Sequence, residues 1–354
     1  MKTNYPTLVI LILGALAFIG VWLGPRWAPA QAVVWVPPEN PGLVGPFEAN
    51  DRLSKIATLA VGRAPEHVAC DMEGQLYTGL EDGSIMLRSL KKDWKLLGNT
   101  KGRPLGLRAD NRGGVWIADA VKGVLHMNPE GKVQILVDSI NGKPLRFVDD
   151  LDIDFKGQIW FSDASQRFDY HSAVLDFYEG SRTGRLLRFD PASDEVEVMM
   201  DNLFFANGVT LGPSEQYVLV NETGMGRVHR LWIDGELAGK RDIFLDALPG
   251  TPDNIRFDGQ NTFWIAMPSY RASLDAIAPL PTLRSIISYL PIPLLETAAS
   301  PTSFVIGVNL NGKVVHNLQA HESPFDYITG VTPCNGQLYL GSLSTSSVGV
   351  LPYP

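Results

Sequence analysis

Four oxygen-bearing side chains share one register of a repeated phrase. Glu66, Asp149, Asn207 and Asp253 each lie five residues before a turn position, at Asp71, Asp154, Gly212 and Asp258, and two before an apolar residue. Three carboxylates and an amide converging on one point repel each other unless a cation lies among them. Carboxylate and carbonyl oxygens are what Ca²⁺ takes, and the absence of His and Cys from the set argues against zinc. Asn254 is a fifth candidate ligand, and Asp150 either joins the set or supports it. Any one of these side chains taken alone reads as a turn or capping residue. Their coincidence in four repeats is what points to a metal.

The phrase that sets this register occurs six times. Asp71-Met-Glu-Gly74-Gln-Leu-Tyr77 is the first copy, and Asp110-Asn-Arg-Gly113-Gly-Val-Trp116 the second. Asp154-Phe-Lys-Gly157 leads into Ile159-Trp-Phe-Ser-Asp163. Looser copies start at Gly212, Asp258 and Asn335. The steps from 71 to 110, 110 to 154 and 212 to 258 are 39, 44 and 46 residues. That period, with a Gly-bearing turn and one aromatic strand per unit, is the mark of propeller blades of about four strands. Helical solenoids share the period but not the β-rich texture. The expected fold is all-β, a six-bladed β-propeller over residues 51–354 with an N-terminal transmembrane helix. In such a ring the innermost strand of each blade lines a central channel, and equivalent positions face one another. The second copy offers Leu105-Gly106-Leu107 at the ligand register; the sixth offers Thr329-Gly330-Val331, one residue further from its turn.

The 354 residues suit a large closed β fold, and 34 Gly and 25 Pro suit its turns. A formal net charge of −8 with no basic run argues against a nucleic-acid partner. Residues 8–23 are apolar and uncharged. They read as a signal anchor within residues 1–27, with Trp22, Arg26 and Trp27 at the interface and the propeller on the periplasmic or extracytoplasmic side. The alternative is cleavage after Ala30-Gln31-Ala32, which releases a secreted or periplasmic protein. The Pro-rich residues 28–50 read as a linker. Cys70 and Cys334 flank matching turns of the first and last repeats. Two buried free thiols are the preferred reading, a disulfide closing the ring the other. Residues 268–300, between the fifth and sixth repeats, are expected to form short amphipathic helices broken by Pro279, Pro281, Pro291 and Pro293. They would cover the channel mouth, rest on a membrane, or serve as an extra packing element. Residues 169–179 form a second expected mouth loop.

The motifs together resemble the calcium-dependent six-bladed propellers that include strictosidine synthase, the gluconolactonases related to regucalcin, and the paraoxonases. The nearest likeness is to the strictosidine synthase-like branch typified by adipocyte plasma membrane-associated protein. It rests on Gly102-Arg-Pro-Leu-Gly106-Leu, Phe147-Val-Asp-Asp-Leu, Ile159-Trp-Phe-Ser-Asp163, Gly184-Arg-Leu-Leu-Arg188, Phe205-Ala-Asn-Gly-Val209, Val220-Asn-Glu222-Thr, Gly250-Thr-Pro-Asp-Asn-Ile255 and Gly336-Gln-Leu-Tyr-Leu-Gly341. The resemblance covers about residues 55–350. It implies a metal set of Glu66, Asp149, Asn207 and Asp253, with Asp149 standing where the family usually has Asn, and a single N-terminal membrane anchor.

The same resemblance disfavours two reactions. The synthases place a catalytic Glu where Thr329 stands, and Thr is no general base near neutral pH. Paraoxonases use a His at the end of a second-repeat strand; here that strand ends Ala118-Asp119-Ala120, and His126 reads as a packing residue. Metal-assisted hydrolysis of an apolar ester or lactone is the expected activity, on a small-molecule substrate. Asp253 serves as ligand and base, with Asp119 and Glu222 as further catalytic candidates. A ligand- or partner-binding propeller with a structural calcium is the alternative, and a condensing synthase the third reading.

Overall fold

The computed structural model describes residue 24 and residues 26–89 and 92–354. Six four-stranded antiparallel sheets follow one another around a ring. Their innermost strands are Val68–Cys70, Pro104–Ala109, Val148–Ile153, Ala206–Leu211, Ile255–Phe257 and Ile328–Cys334. The chain is thus the expected six-bladed β-propeller. The apolar residues 8–23 lie outside the described residues. Among the described residues no helix is long and apolar enough to cross a membrane.

The repeated turn explains why each blade starts alike. Asp71, Asp110, Asp154 and Asp258 fold back so that one carboxylate oxygen accepts backbone amides two and four residues on. The partner Gly in each turn has φ near +80°, a conformation costly for any residue with a Cβ. Beyond the turn the second strand runs back up the blade, and its aromatic residue packs against the neighbouring sheet.

One apolar core lies between each pair of neighbouring blades. Five of these cores contain between nine and thirteen buried residues each. The sixth, where blade six meets blade one, has only Val68, Leu76, Cys334 and Val348 fully buried. Closure of the ring therefore draws on other interactions. Strand Ala57–Ala60 leaves the N-terminal side to become the outer strand of blade six, pairing Ala57 with Val350 and Ala60 with Ser347. Cys70 and Cys334 are joined in a disulfide across the same seam. This corrects the preference for free thiols: the ring brings the ends of two innermost strands within bonding reach.

Two further expectations change. Residues 268–300 do not separate blades five and six. They lie within blade five, between its second strand Thr262–Ala266 and its third strand Ser303–Asn309. They form three helices, Ala272–Ile277, Pro281–Ile287 and Ile292–Glu296, the last two with Pro in the first turn, where a missing amide costs nothing. The loop 164–183 is the corresponding insertion of blade three and carries the helix Val174–Glu179. Second strands end on the face of the ring where innermost strands begin, so both insertions cover the same mouth. Of the expected linker 28–50, residues 30–38 lie against that cover, and Phe47, Glu48 and Asn50 bond to Asn317 and Gln319 on the outer strand Val314–Ala320 of blade five. Buried Arg284 donates to the carbonyls of Tyr178, Ala278 and Val33, and Arg271 to those of Met225 and Pro38. Ser288 and Ser285 accept the amides of Ala30 and Ala32. Trp35 packs edge-on against Phe204 at 5.3 Å and sits where a side chain at Gly180 would be.

The thin seam between blades six and one makes the disulfide a large share of closure. Replacing Cys70 and Cys334 by Ser is expected to cost about 2–4 kcal/mol. Thermal melts of the wild type with and without reductant, beside the double variant, test this; unchanged midpoints would refute it.

Candidate metal centre

The position two residues before the central apolar residue of each innermost strand points into the channel. Around the ring it is Glu66, Leu105, Asp149, Asn207, Asp253 and Thr329. Carboxylates stand on blades one, three and five, and uncharged residues on the blades between. Ligand oxygens of Glu66, Asp149 and Asp253 all lie within 4.8 Å of one another, and all three residues are buried. The structure thus brings together the three carboxylates singled out by register.

The next position down alternates as well, and the alternation makes the ring fit. Blades one, three and five carry His67, Asp150 and Asn254; blades two, four and six carry Gly106, Gly208 and Gly330. A Cβ on Gly106 would meet Asp150 Oδ1 at 2.4 Å, and one on Gly208 would meet Asp253 O at 2.5 Å. The channel has room for three side chains per layer, and the glycines yield to their neighbours. Register shifts in the innermost strands of blades two, three, four and six accompany this tight passage and turn the ring residue inward.

Each ring member is held by the blade beside it. Asn254 Nδ2 donates to Glu66 Oε1 at 2.7 Å and to Thr329 O at 3.0 Å. Asn254 thus presents its amide hydrogens to Glu66, while its Oδ1 is buried without a hydrogen-bond partner. Thr329 Oγ1 donates to Glu66 O at 2.7 Å, a hydrogen bond between blades and not a base. Asn207 hydrogen-bonds the Asp253 carboxylate. Asp150 lies one layer lower, where Oδ2 accepts the Val209 amide at 2.9 Å and Arg108 and Arg256 approach Oδ1 at 3.9 and 3.7 Å. It supports the ring and is not among the converging oxygens. His67 is occupied in the same layer: Nδ1 accepts the Leu107 amide, and Nε2 faces Arg256. Burial, then Arg108, keeps its pKa well below the usual histidine range.

The electrostatics follow from crowding in a dry place. Burial, then Glu66 and Asp150, raises the Asp149 carboxyl well above its ordinary range. Burial, then Glu66 and Asp149, does the same to Asp253. Glu66 is pushed up to about 7 by burial, with Arg103 and the Asn254 hydrogen bond opposing. Glu66 Oε2 and Asn207 Oδ1 are buried with no hydrogen-bond partner. Buried polar atoms are rarely left so, and here they face a set made wholly of oxygens. Those unpartnered acceptors fit a hard divalent cation held by Glu66, Asp149, Asn207 and Asp253.

The ring floors a cavity of about 600 Å³ beneath the helical cover. Leu105, Phe147, Tyr170, Phe177, Phe205 and Tyr327 line its sides. Phe205 packs on Phe147 and Phe177 at 5.3 and 4.7 Å. Burial, then the Asp253 charge, pushes the Tyr327 phenol up to about 12. Arg103 and Tyr327 are cavity residues that register could not reveal. Each flanks a ring position whose own side chain, Leu105 or Thr329, carried no ligand signal.

Asp119 and Glu222 lie elsewhere. Asp119 Oδ1 accepts the amides of Arg103, Val121 and Lys122, and Glu222 accepts the Phe204 amide and faces His229 Nε2. Asp163 accepts the Phe147 amide at the matching place in blade three. In blades two, three and four one carboxylate thus ties the top of the second strand to the chain entering the innermost strand, and neither Asp119 nor Glu222 lines the cavity. His126 faces Asp110 and packs on Trp116, also away from the site.

A six-bladed propeller with a buried triad of carboxylates in its channel defines the class, and comparisons place the chain within it. Residues 149–236 match the family model described as strictosidine synthase, and residues 45–87 match strictosidine synthase-like, N-terminal. Strictosidine synthase-like protein 4 of Arabidopsis thaliana is 32% identical over 93% of this chain and 90% of its own length. The adipocyte plasma membrane-associated protein of Bos taurus is 30% identical over 95% of this chain and 86% of its own. The chain belongs to the strictosidine synthase-like family. In fold it is similar to a gluconolactonase from Xanthomonas campestris (TM-score 0.62, 18% identity, 93% of this chain and 99% of that one). It is also similar to regucalcin from Agrobacterium tumefaciens (TM-score 0.59, 13% identity, 83% and 95%).

A raised carboxyl pKa fixes the sign of a pH effect. Burial pushes Glu66 up to about 7 in the folded cation-free protein, above its ordinary value of 4.5 in the unfolded chain, so the folded state holds more protons between those values. Stability in chelator is then full below the lower value and falls as pH rises towards 7 and beyond. A melting midpoint in EDTA lower at pH 8 than at pH 5, with the loss reversed by excess divalent cation, is the expected outcome. A midpoint insensitive to pH and cation would contradict this account of the ring.

Proposed function

We propose that the protein is a calcium-dependent hydrolase of apolar esters or lactones, anchored in a membrane by residues 8–23 with the propeller on the extracytoplasmic side. The observation that carries the reading is the triad Glu66, Asp149 and Asp253, converging within 4.8 Å at the floor of an aromatic-walled cavity. The all-oxygen donor set suits Ca²⁺. The Agrobacterium relative in fold is described as a calcium-binding protein, and the Xanthomonas one as a gluconolactonase.

Calcium bound there would polarise a substrate carbonyl and stabilise the charge that develops on its oxygen. The chain supplies the rest. Phe147, Phe177 and Phe205 take the apolar part of a substrate and exclude water from it. The Asp253 carboxylate borders the cavity and accepts the proton of the attacking water. Asn207 keeps Asp253 oriented through its hydrogen bond.

Three observations support the location. The Cys70–Cys334 disulfide suits an oxidising compartment. Leu280, Leu283, Ile286, Tyr289, Leu290 and Leu294 of the mouth cover are exposed, and Tyr289 donates to Gly24 O at the end of the apolar segment. Ala30, within the Ala30-Gln31-Ala32 triplet, is fully buried beneath Ser288, so cleavage after Ala32 would remove a packed residue.

One observation favours a ligand-binding propeller with a structural cation. Outside the ring, the acidic residues lining the cavity are Glu81 and Glu296, both exposed and so poorly placed as a buried base.

Aryl-ester hydrolysis with calcium, with chelator, and by Asp253→Ala in calcium separates the two. The hydrolase reading expects turnover that chelator abolishes and that Asp253→Ala lowers by roughly 10²–10⁴-fold in a folded protein. Glu222→Gln, which keeps the Phe204 amide acceptor, is expected to retain near wild-type turnover. A calcium-dependent melting midpoint with no turnover in any arm would establish the binding reading instead.

A further inference from the structure

Two arginines line the mouth cavity: Arg271 pairs with Asp275 and donates to carbonyls of Met225 and Pro38, whereas Arg103 pairs with no carboxylate among the described residues. It is 2% exposed and lines the cavity two residues before ring residue Leu105. Its Nη1 donates to Ala64 O at 3.2 Å, and Tyr170 lies under the guanidinium, 5.9 Å from its centre. Its Nε and Nη2 are buried with no hydrogen-bond partner. These two nitrogens form the side edge of the guanidinium, from which two N–H bonds project in parallel. That edge matches the two oxygens of a carboxylate, a fit that a lysine cannot reproduce. The charge of Arg103 reaches the ring, since it lowers the carboxyls of Glu66 and Asp149 against the effect of burial.

We propose that the Nε/Nη2 edge of Arg103 binds the carboxylate of an amphipathic substrate or product, whose apolar body lies along Phe147, Phe177 and Phe205. The assignment rests on the hydrolase reading for its place beside a reacting centre, but the binding itself requires no turnover. At the floor, three ring carboxylates, a divalent cation and Arg103 sum to zero charge, and the other acidic residues of the lining, Glu81 and Glu296, are exposed, so an incoming carboxylate meets no net repulsion there. Phe147, Phe177 and Phe205 offer nothing polar to its other end. An amide head group of the same size would accept from one N–H of the edge and set its own NH₂ against the other, leaving that donor unsatisfied, which is the usual source of strong discrimination.

The test is calorimetry on the full-length protein with calcium, titrated with phenylbutanoate, phenylbutanamide and phenylpropyl phosphate. The wild type is expected to bind the acid about tenfold to a hundredfold tighter than the amide, and tighter than the phosphate. Arg103→Lys keeps the charge and loses the fork; it should lose most of that preference while binding the amide as before. Arg103→Gln should lose all of it. Melting midpoints and calcium affinity of both variants show whether the ring survives. Equal binding of acid and amide by the wild type would overturn the proposal. So would a full preference in a folded Lys variant, which would assign the carboxylate to the ring cation alone. A phosphate bound as tightly as the acid would make the site a general anion hole and overturn the carboxylate assignment. Preference for the acid without ester turnover would leave this site standing and remove the hydrolase.

Discussion

Three buried carboxylates that repel one another are the constraint on which the rest of the structure depends. Burial already disfavours each charge, and the neighbours within 4.8 Å add to it. The carboxylates come from blades one, three and five, so their repulsion pushes the ring open from within. The seam between blades six and one, beside Glu66, has the smallest apolar core. It is also where the outer strand Ala57–Ala60, the disulfide and the hydrogen bonds from Asn254 and Thr329 to Glu66 gather. Closure is concentrated where the centre strains it most.

Threefold alternation in a sixfold ring reconciles crowding with function. A carboxylate on every blade would be unbearable at this radius, and a side chain on every blade would not fit one layer lower. Charge therefore appears on every second blade, and bulk in the layer below follows the same blades, as His67, Asp150 and Asn254. Gly106, Gly208 and Gly330 fill the gaps because the neighbouring chain occupies the space of their Cβ atoms. Layers of side chains from alternate strands fill the interior of closed β barrels in a similar way.

The features legible in the chain were those written once per blade. Turn aspartates, positive-φ glycines and the ring register recur at a readable period, and from them the six blades and the converging oxygens follow. Features that occur once were harder to read. The closing strand Ala57–Ala60 pairs with residues 347–350, far along the chain and without the turn motif. Strands Ser303–Asn309 and Val314–Ala320 also lack it, since only second strands carry it, and the blade-five insertion therefore read as a spacer between blades. Residues 28–50 have the composition of a linker; Arg271 and Arg284, more than two hundred residues away, hold residues 30–38 down. Repetition also carried a warning about Asp119 and Glu222. Asp163 stands at the same strand end in blade three, and a side chain needed at the same corner of several blades is more readily structural than catalytic.

The mouth divides its labour by polarity, and that division bears on what enters it. The cover and residues 30–38 are fastened by Arg284 and Arg271 donating to carbonyls, so little of their attachment depends on carboxylates near the ring. The aromatic walls bring low-dielectric material close to the floor, which strengthens every charge interaction there. A molecule apolar along its length would satisfy the walls and leave the floor unsatisfied. One polar throughout would meet the floor and be desolvated by Phe147, Phe177 and Phe205 without return. Only a molecule with a compact polar end and an apolar body meets both, and its polar end must arrive first, because the cover leaves the ring at the bottom of the cavity. On the hydrolase reading, orientation would be set by the cavity before any chemistry, and a substrate with its reactive carbonyl close to the polar end is the one that the reading calls for.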